Sequence, residues 1–309
     1  MQKNRIANAK KPGGLCRPAF LCYNTGEVMN VREIKAEVIT ETVESLCIEA
    51  CTMLGEDMKA ALKKAESEET APAARAALND IVRNYECAYC EGLPICQDTG
   101  MTVIFAEIGQ DVHITGSFEK AVNEGVRRGY VNGCLRKSVV ADPFRRVNTG
   151  DNTPAVIHAR LIEGDGLTLT VAPKGFGSEN KSALKMLLPS APISEFEDFI
   201  VDTVARAGGD PCPPIVLGVA IGGTVEACAL AAKRQLARPI NEKNPDPFYA
   251  EMEERLLDRI NALGIGPQGF GGRTTCLKVN VAALPCHIAG TPCVVNVGCH
   301  ATRHASATI

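Results

Sequence analysis

Three cysteines sit where a thiol is presented rather than packed: Cys96 in Leu-Pro-Ile-Cys-Gln-Asp-Thr-Gly, Cys212 in Asp-Pro-Cys-Pro-Pro, and Cys299 in Val-Gly-Cys-His-Ala-Thr-Arg-His. Proline, glycine and short polar residues set turns around each of them. Three thiolates can hold a four-iron cluster and leave one iron open. An open iron is a Lewis acid that can take a substrate, whereas a cluster with four cysteine ligands passes electrons. The first expectation is therefore a catalytic iron-sulfur protein.

Each motif also has a plainer reading. Asp98-Thr99-Gly100 after Cys96 is equally a turn in which Asp98 bonds its own backbone before a strand. Cys212 is harder to explain this way, because an unpaired thiol in a proline-flanked corner packs little while a ligand gains from a pre-set backbone. Cys299, His300 and His304 together could form a zinc-binding interaction module, or the histidines could be ordinary surface residues. Cys87-Ala-Tyr-Cys90 is a Cys-x-x-Cys without a second pair, open to a redox or auxiliary metal role; an electron-transfer protein would need Cys90 as a fourth ligand. Cys47, Cys51 and Cys228 fall at apolar helical positions and read as core.

Two glycine-rich segments remain. Gly264-Ile-Gly-Pro-Gln-Gly269 has the letters of a dinucleotide fingerprint, but it follows a helix, precedes a strand, and contains Pro267, which has no N–H to offer. Close backbone approach to a neighbour or ligand is its remaining use. Lys174-Gly-Phe-Gly-Ser-Glu-Asn-Lys181 precedes an apparent helix and would aim amides at a carboxylate or phosphate.

The elements that must position these residues read as α+β: an N-terminal helical region, then a mixed sheet flanked by helices, in a single large domain. Apolar spacing predicts helix through Val31–Glu69, and again over Ala73–Glu86, leading into a loop from Cys87 to Gly100. Strands are expected at Met101–Ile108, Leu167–Ala172, Ile215–Ile221, Thr274–Ala283 and Val294–Val297. Further helices are expected at Ser117–Gly129, Ser182–Leu188, Glu195–Ala207, Val225–Leu236 and Pro247–Leu263.

Composition narrows the class. With 45% apolar and 22% charged residues the 309-residue chain can bury a substantial core. A net charge of −3 with scattered basic residues gives no stripe for nucleic acid. The longest apolar run, Ile215–Ile221, is far short of the roughly 20 residues that cross a bilayer, so no membrane partner is expected. Fourteen cysteines spread along a chain of this size fit a reducing, cytoplasmic setting better than a disulfide scaffold. The first 26 residues carry five Lys or Arg and no acid, and read as disordered, either as an over-extended start or, less well, as a transit peptide. The expected division is a disordered extension over 1–28 and a catalytic domain over 29–309.

Taken in order, Cys96-Gln-Asp-Thr-Gly100, Val147-Asn-Thr-Gly150, Lys174 to Lys181, Cys212-Pro-Pro214, Gly264-Ile-Gly-Pro-Gln268 and Cys299-His-Ala-Thr-Arg-His304 resemble the class I fumarate hydratase and L-tartrate dehydratase family. The resemblance runs from about Met29 to the C-terminus. It implies an oxygen-sensitive [4Fe-4S] cluster held by Cys96, Cys212 and Cys299, with one iron free of cysteine. It also implies a dicarboxylate site lined by Gln97, Asp98, Arg136, Gly177 and His287, with Asp98 or His287 handling a proton at the departing hydroxyl. Because the chain stops just after Cys299, it resembles the separate α subunit, and a β subunit carrying the remaining cations and the base is implied, in an (αβ)2 hetero-oligomer. Phe176 and Cys286 stand where the family often has Gly and Arg. The Gly-Ser-Glu-Asn run points to the fumarase branch, so the expected reaction is hydration of fumarate to L-malate, with L-tartrate dehydration as the alternative.

Overall fold

A computed structural model describes residues 31–309; the expected disordered extension, residues 1–28, lies outside the described residues. The chain opens with strand β1 (Arg32–Lys35), followed by helices α1 (Ala36–Thr52), α2 (Glu56–Glu68) and α3 (Pro72–Glu91). The expected continuous helical region is thus preceded by a strand and broken at Met53–Gly55. Pro72 starts α3, where its missing amide costs nothing, and Gly92 ends it at φ 64°. Because α3 runs on to Glu91, Cys87 and Cys90 lie on its last turns, both exposed, and not in the expected loop.

Strands β2 (Met101–Gly109) and β3 (Val112–Thr115) come next, then α4 (Phe118–Asn132), capped by the Ser117 side chain, which accepts from the Lys120 amide. They are followed by β4 (Val156–Ile162) and β5 (Leu167–Lys174). A single helical turn, α5 (Phe176–Glu179), leads to β6 (Ala183–Leu187). Here the expected helix at Ser182–Leu188 is a strand. Ala, Leu, Lys and Met favour helix by local propensity, yet antiparallel pairing along β9 overrides that preference. The chain ends with α6 (Ile193–Ala207), β7 (Ile215–Gly222), α7 (Val225–Gln235), α8 (Pro247–Asn261), β8 (Cys276–Leu284), β9 (Thr291–Gly298) and β10 (Ala305–Thr308).

Two four-stranded mixed sheets carry the domain, ordered β10-β5-β2-β4 and β6-β9-β7-β8, and β1 pairs with β3 in a small parallel ribbon. Helices α1 and α4 cover the first sheet, burying Ile39, Val43, Val126 and Tyr130 against Ile104, Leu169 and Val171. The second sheet is covered on both faces, which explains why β7 is buried almost throughout. Leu256 and Ile260 of α8 and Ile200 of α6 pack on one side with Leu217 and Val279, while Cys228 and Ala232 of α7 pack with Ala220 and Val294 on the other. Helix α7 lies so close that a side chain at Gly218 would strike the Ala232 carbonyl. The α2–α3 hairpin packs Leu62, Leu78 and Tyr85 against Val216, Leu236 and Ala301, where the two sheets approach each other.

Candidate active site

Topology brings the three presented cysteines together. Cys96 precedes β2, whose first residue Met101 pairs with Lys174 at the end of β5, so the Cys96–Asp98 loop lies beside the Lys174–Gly177 turn. Cys212 precedes β7 and Cys299 follows β9, and these strands are antiparallel, with Val216 opposite Gly298. Residues 299–304 then cross to β10, whose Ala305 pairs with Val171 of the first sheet. All three loops therefore meet at the junction of the two sheets. They line one cavity of about 140 Å³ together with Gln97, Asp98, Lys174, Gly177, Lys233 and Arg303.

Side-chain to backbone hydrogen bonds hold the Cys96 and Cys299 loops. The Asp98 amide donates to Cys96 Sγ at 3.4 Å, and the Cys96 thiol donates to Gln97 Oε1 at 3.4 Å. Asp98 itself is a tether: Oδ1 accepts from the Gly100 amide at 3.0 Å and Oδ2 from the Phe176 amide at 2.9 Å, tying the cysteine loop to α5. Gly100 has φ 75°, and a side chain there would meet the Lys174 backbone. The Tyr130 hydroxyl donates to the Thr99 carbonyl at 2.8 Å, and Thr302 closes the turn after Cys299 by donating its hydroxyl to the Cys299 carbonyl at 2.7 Å.

The electrostatics fit a group that brings positive charge to these thiols. Burial pushes the Cys299 thiol up in pKa, against the opposing pull of Arg303 and the Ala301 amide. Burial also raises Cys212, and the neighbouring Cys299 and Cys96 raise it further. Cys212 and Cys299, raised in this way, give up their protons readily only when a cationic group takes the protons' place. Arg303 stands behind them, 6% exposed, its guanidinium donating to the Asp98 carbonyl at 2.7 Å and the Ala301 carbonyl at 3.1 Å. Among the described residues its Nε–H is buried without a partner. A buried donor of that kind needs an acceptor, and the sulfides or thiolates of a cluster would supply one. Among the described residues no three His, Cys, Asp or Glu side chains are arranged to hold a single metal ion. A four-iron cube, by contrast, takes its cysteines at separate corners, so its ligands need only surround one cavity.

Lysines line the same cavity. Lys174 is buried, with Nζ donating to Ser178 Oγ at 2.8 Å and paired with Glu179 Oε2 at 3.2 Å. Glu179 also pairs with Lys233 and accepts from Asn296 Nδ2. Burial works against the Glu179 charge, but the two lysines outweigh it and hold the carboxyl below its ordinary range. Burial lowers the Lys174 ammonium despite Glu179 and Cys299 beside it. Two lysines share one carboxylate, which leaves a net positive wall suited to an anion.

Other candidate residues are placed differently. Gln97, Asp98 and Gly177 line the cavity. Arg136 is exposed on the adjoining loop, attached through its carbonyl, which accepts from the Thr99 hydroxyl at 3.0 Å. His287 is exposed beyond the far end of β8, where Leu284 pairs with Gly222. That end lies the full eight-residue length of β7, roughly 25 Å, from the Cys212 end. One chain therefore does not bring His287 to the cysteines. The zinc alternative is not assembled either: His300 Nδ1 lies 3.0 Å from the Cys212 carbonyl oxygen, engaged with backbone. Lys233 and Arg303 were missed as individual site residues. Arg303 does carry a signal, as an arginine four residues beyond a presented cysteine, whereas Lys233 on α7 carries none.

The profile described as fumarate hydratase (fumerase) matches residues 40–308. A Methanocaldococcus jannaschii protein, provisionally named L(+)-tartrate dehydratase subunit alpha, is 38% identical over 277 residues, covering 86% of this chain and 96% of that one. The L(+)-tartrate dehydratase subunit alpha of Escherichia coli K12 is 29% identical over 269 residues, covering 86% of this chain and 88% of that one. A Shigella sonnei protein of the same name matches equally well. With its motifs in order, its presented cysteines around one cavity and these alignments running nearly end to end, the chain belongs to the class I fumarate hydratase and L-tartrate dehydratase family of hydro-lyases, as a member of the alpha-subunit type.

Proposed function

We propose that this chain is the cluster-bearing α subunit of an iron-sulfur hydro-lyase that dehydrates a four-carbon hydroxydicarboxylate, with L(+)-tartrate as the substrate. The observation that carries the hydro-lyase site is the meeting of Cys96, Cys212 and Cys299 at one cavity walled by Lys174, Lys233 and Arg303. The names of the relatives carry the substrate, in place of the fumarate expected from sequence. Reversible hydration of fumarate to L-malate is the second reading, favoured by the Gly177-Ser-Glu-Asn180 run.

Cys96, Cys212 and Cys299 would hold a [4Fe-4S] cluster, whose cysteine-free iron supplies a Lewis acid for a substrate carboxylate and the leaving hydroxyl. The chain's residues do the rest of the binding. Lys174 and Lys233 face the anionic substrate, and Gln97 and the amides around Gly177 orient it. Dehydration breaks a C–O bond and the C–H bond on the neighbouring carbon, and the C–H electron pair becomes the new double bond. The hydroxyl leaves with a proton as water, and no electrons are gained or lost. From tartrate the product is an enol, which tautomerises to a 2-oxo acid.

Asp98 lies at the cavity and would steer the proton at the hydroxyl once it gives up one of its two amide bonds. Arg136 would reach in from the adjoining loop, and His287 would serve only a site completed by a second chain. The base that takes the C–H proton would come from a β subunit, in an (αβ)2 assembly in the cytoplasm. The catalytic domain would span 29–309.

The test is co-expression with a β-type subunit, purification without oxygen, and measurement of dehydration of L-tartrate and L-malate. Preference for tartrate is the expected result. Turnover of malate alone would move the assignment to the second reading, and full activity from this chain alone would remove the β subunit from the site.

A further inference from the structure

The Gly264–Gly269 loop closes on the turn that presents Cys212. Cys212 adopts φ 57°, a left-handed conformation that a non-glycine residue holds only when its surroundings enforce it. Two consecutive carbonyls fix this turn. The Cys212 carbonyl accepts from the His300 amide at 3.2 Å and from His300 Nδ1–H at 3.0 Å. The Pro213 carbonyl accepts from the Gln268 amide at 2.8 Å and from Gln268 Nε2 at 2.9 Å. The two side chains touch, with Gln268 Nε2 3.2 Å from His300 Nδ1. Gly209 and Gly269 meet backbone to backbone, which explains the glycine at 269, while a side chain at Gly266 would strike the Gly271 carbonyl. Gln268 is itself at φ 52°.

We infer that Gln268 and His300 are positioning residues for the cluster. They lock the peptide planes after Cys212, and so the direction of its Cα–Cβ bond, so that the thiol is held toward the cavity before any iron arrives. Outer partners of this kind typically change metal affinity by about 10–100-fold. The inference rests on Cys212 being a cluster ligand, as proposed above.

The test compares the full chain with three variants. His300→Leu removes the ring donor, His300→Asn keeps an N–H near the Nδ1 position, and Gln268→Gly removes the side chain while tolerating the positive φ. Two readouts are used: the half-time of cluster absorbance under a chelator after anaerobic reconstitution, and hydrogen exchange in the metal-free chain of the Gly209, Asp210 and Cys212 amides, the exchangeable ones of 209–214 because 211, 213 and 214 are prolines, with α6 as internal reference. His300→Leu and Gln268→Gly are expected to shorten the half-time about 10-fold or more and to speed exchange at 209–214 only, while His300→Asn stays close to the parent chain. Unchanged half-times in a parent chain that does take up the cluster would overturn the positioning role. If the parent chain takes up no iron, the ligand assignment itself fails. Exchange at 209–214 then decides whether the clamp on Cys212 exists: no change overturns it, and selective speeding upholds it.

Discussion

Arg303 is the residue on which most of the site depends. It lies within the stretch that joins the two sheets, and its guanidinium ties the Asp98 carbonyl of the Cys96 loop to the Ala301 carbonyl of the Cys299 loop. Replacing it with Met leaves both carbonyls buried without a donor and removes the positive charge facing the thiols. Each stranded acceptor costs roughly 1–3 kcal/mol, so Arg303→Met is expected to lower the denaturant midpoint of the metal-free chain and to abolish cluster uptake. Arg303→Lys, which keeps the charge but not the two-point tie, should recover part of the iron content and little of the stability. A Met variant with parental midpoint and iron content would show that the tie is dispensable. The cysteines themselves give a sharper contrast. Cys96→Ser, Cys212→Ser and Cys299→Ser should each lose acid-labile sulfide, whereas Cys276→Ser, deep in the second core, should affect stability and leave cluster chemistry intact. Cys276 is pushed up to about 12 by burial, so it remains a neutral thiol at any working pH.

At the scale of elements, Glu69 joins α2 to α3 and both to the loop before β8. Its Oε1 accepts from the Thr70 and Ala71 amides at 2.8 and 2.9 Å, and its Oε2 from the Arg273 amide at 2.8 Å. Burial alone would raise its pKa; the amide donors outweigh burial and hold it below its ordinary 4.5. A carboxyl depressed in the folded state contributes stability above its unfolded value, and that contribution is lost as pH falls through the folded value. Glu69→Gln should therefore be clearly less stable than the parent at pH 7, with the gap closing below pH 4.5. Urea melts at several pH values would check this, and a gap independent of pH would show that shape rather than charge matters. The same scale shows what could be read in advance. Long amphipathic helices such as α4 and α8, and the buried run of β7, announce themselves by periodicity and flanking turns. Strands β6 and β10 do not. Ala-Leu-Lys-Met-Leu and Ala-Ser-Ala-Thr have no strand preference of their own and exist as strands because β9 and β5 offer them unpaired edges.

For the whole molecule, the presented cysteines were legible because turn residues mark each of them locally, but the wall they face was not. Lys174 and Lys233 belong to different elements and meet through Glu179, a pairing set by the packing of α7 on the second sheet. Phe176, between the cavity-lining Gly175 and Gly177, is 47% exposed, although an aromatic ring in a glycine-rich turn would ordinarily be covered. In the proposed αβ assembly a partner covering the cavity would limit access of water and oxygen to a cluster held by Cys96, Cys212 and Cys299, so the cluster is expected to outlast that of the isolated chain. Anaerobically reconstituted chain alone is expected to bind iron and sulfide, to turn over neither tartrate nor malate, and to bleach in air several-fold faster than the co-purified complex. Adding excess substrate should slow bleaching in the complex and leave the isolated chain unprotected, because the cations of one wall do not retain a dicarboxylate without the other. Equal bleaching rates, or equal protection by substrate in both samples, would show that the cavity seen in this chain is already the whole site.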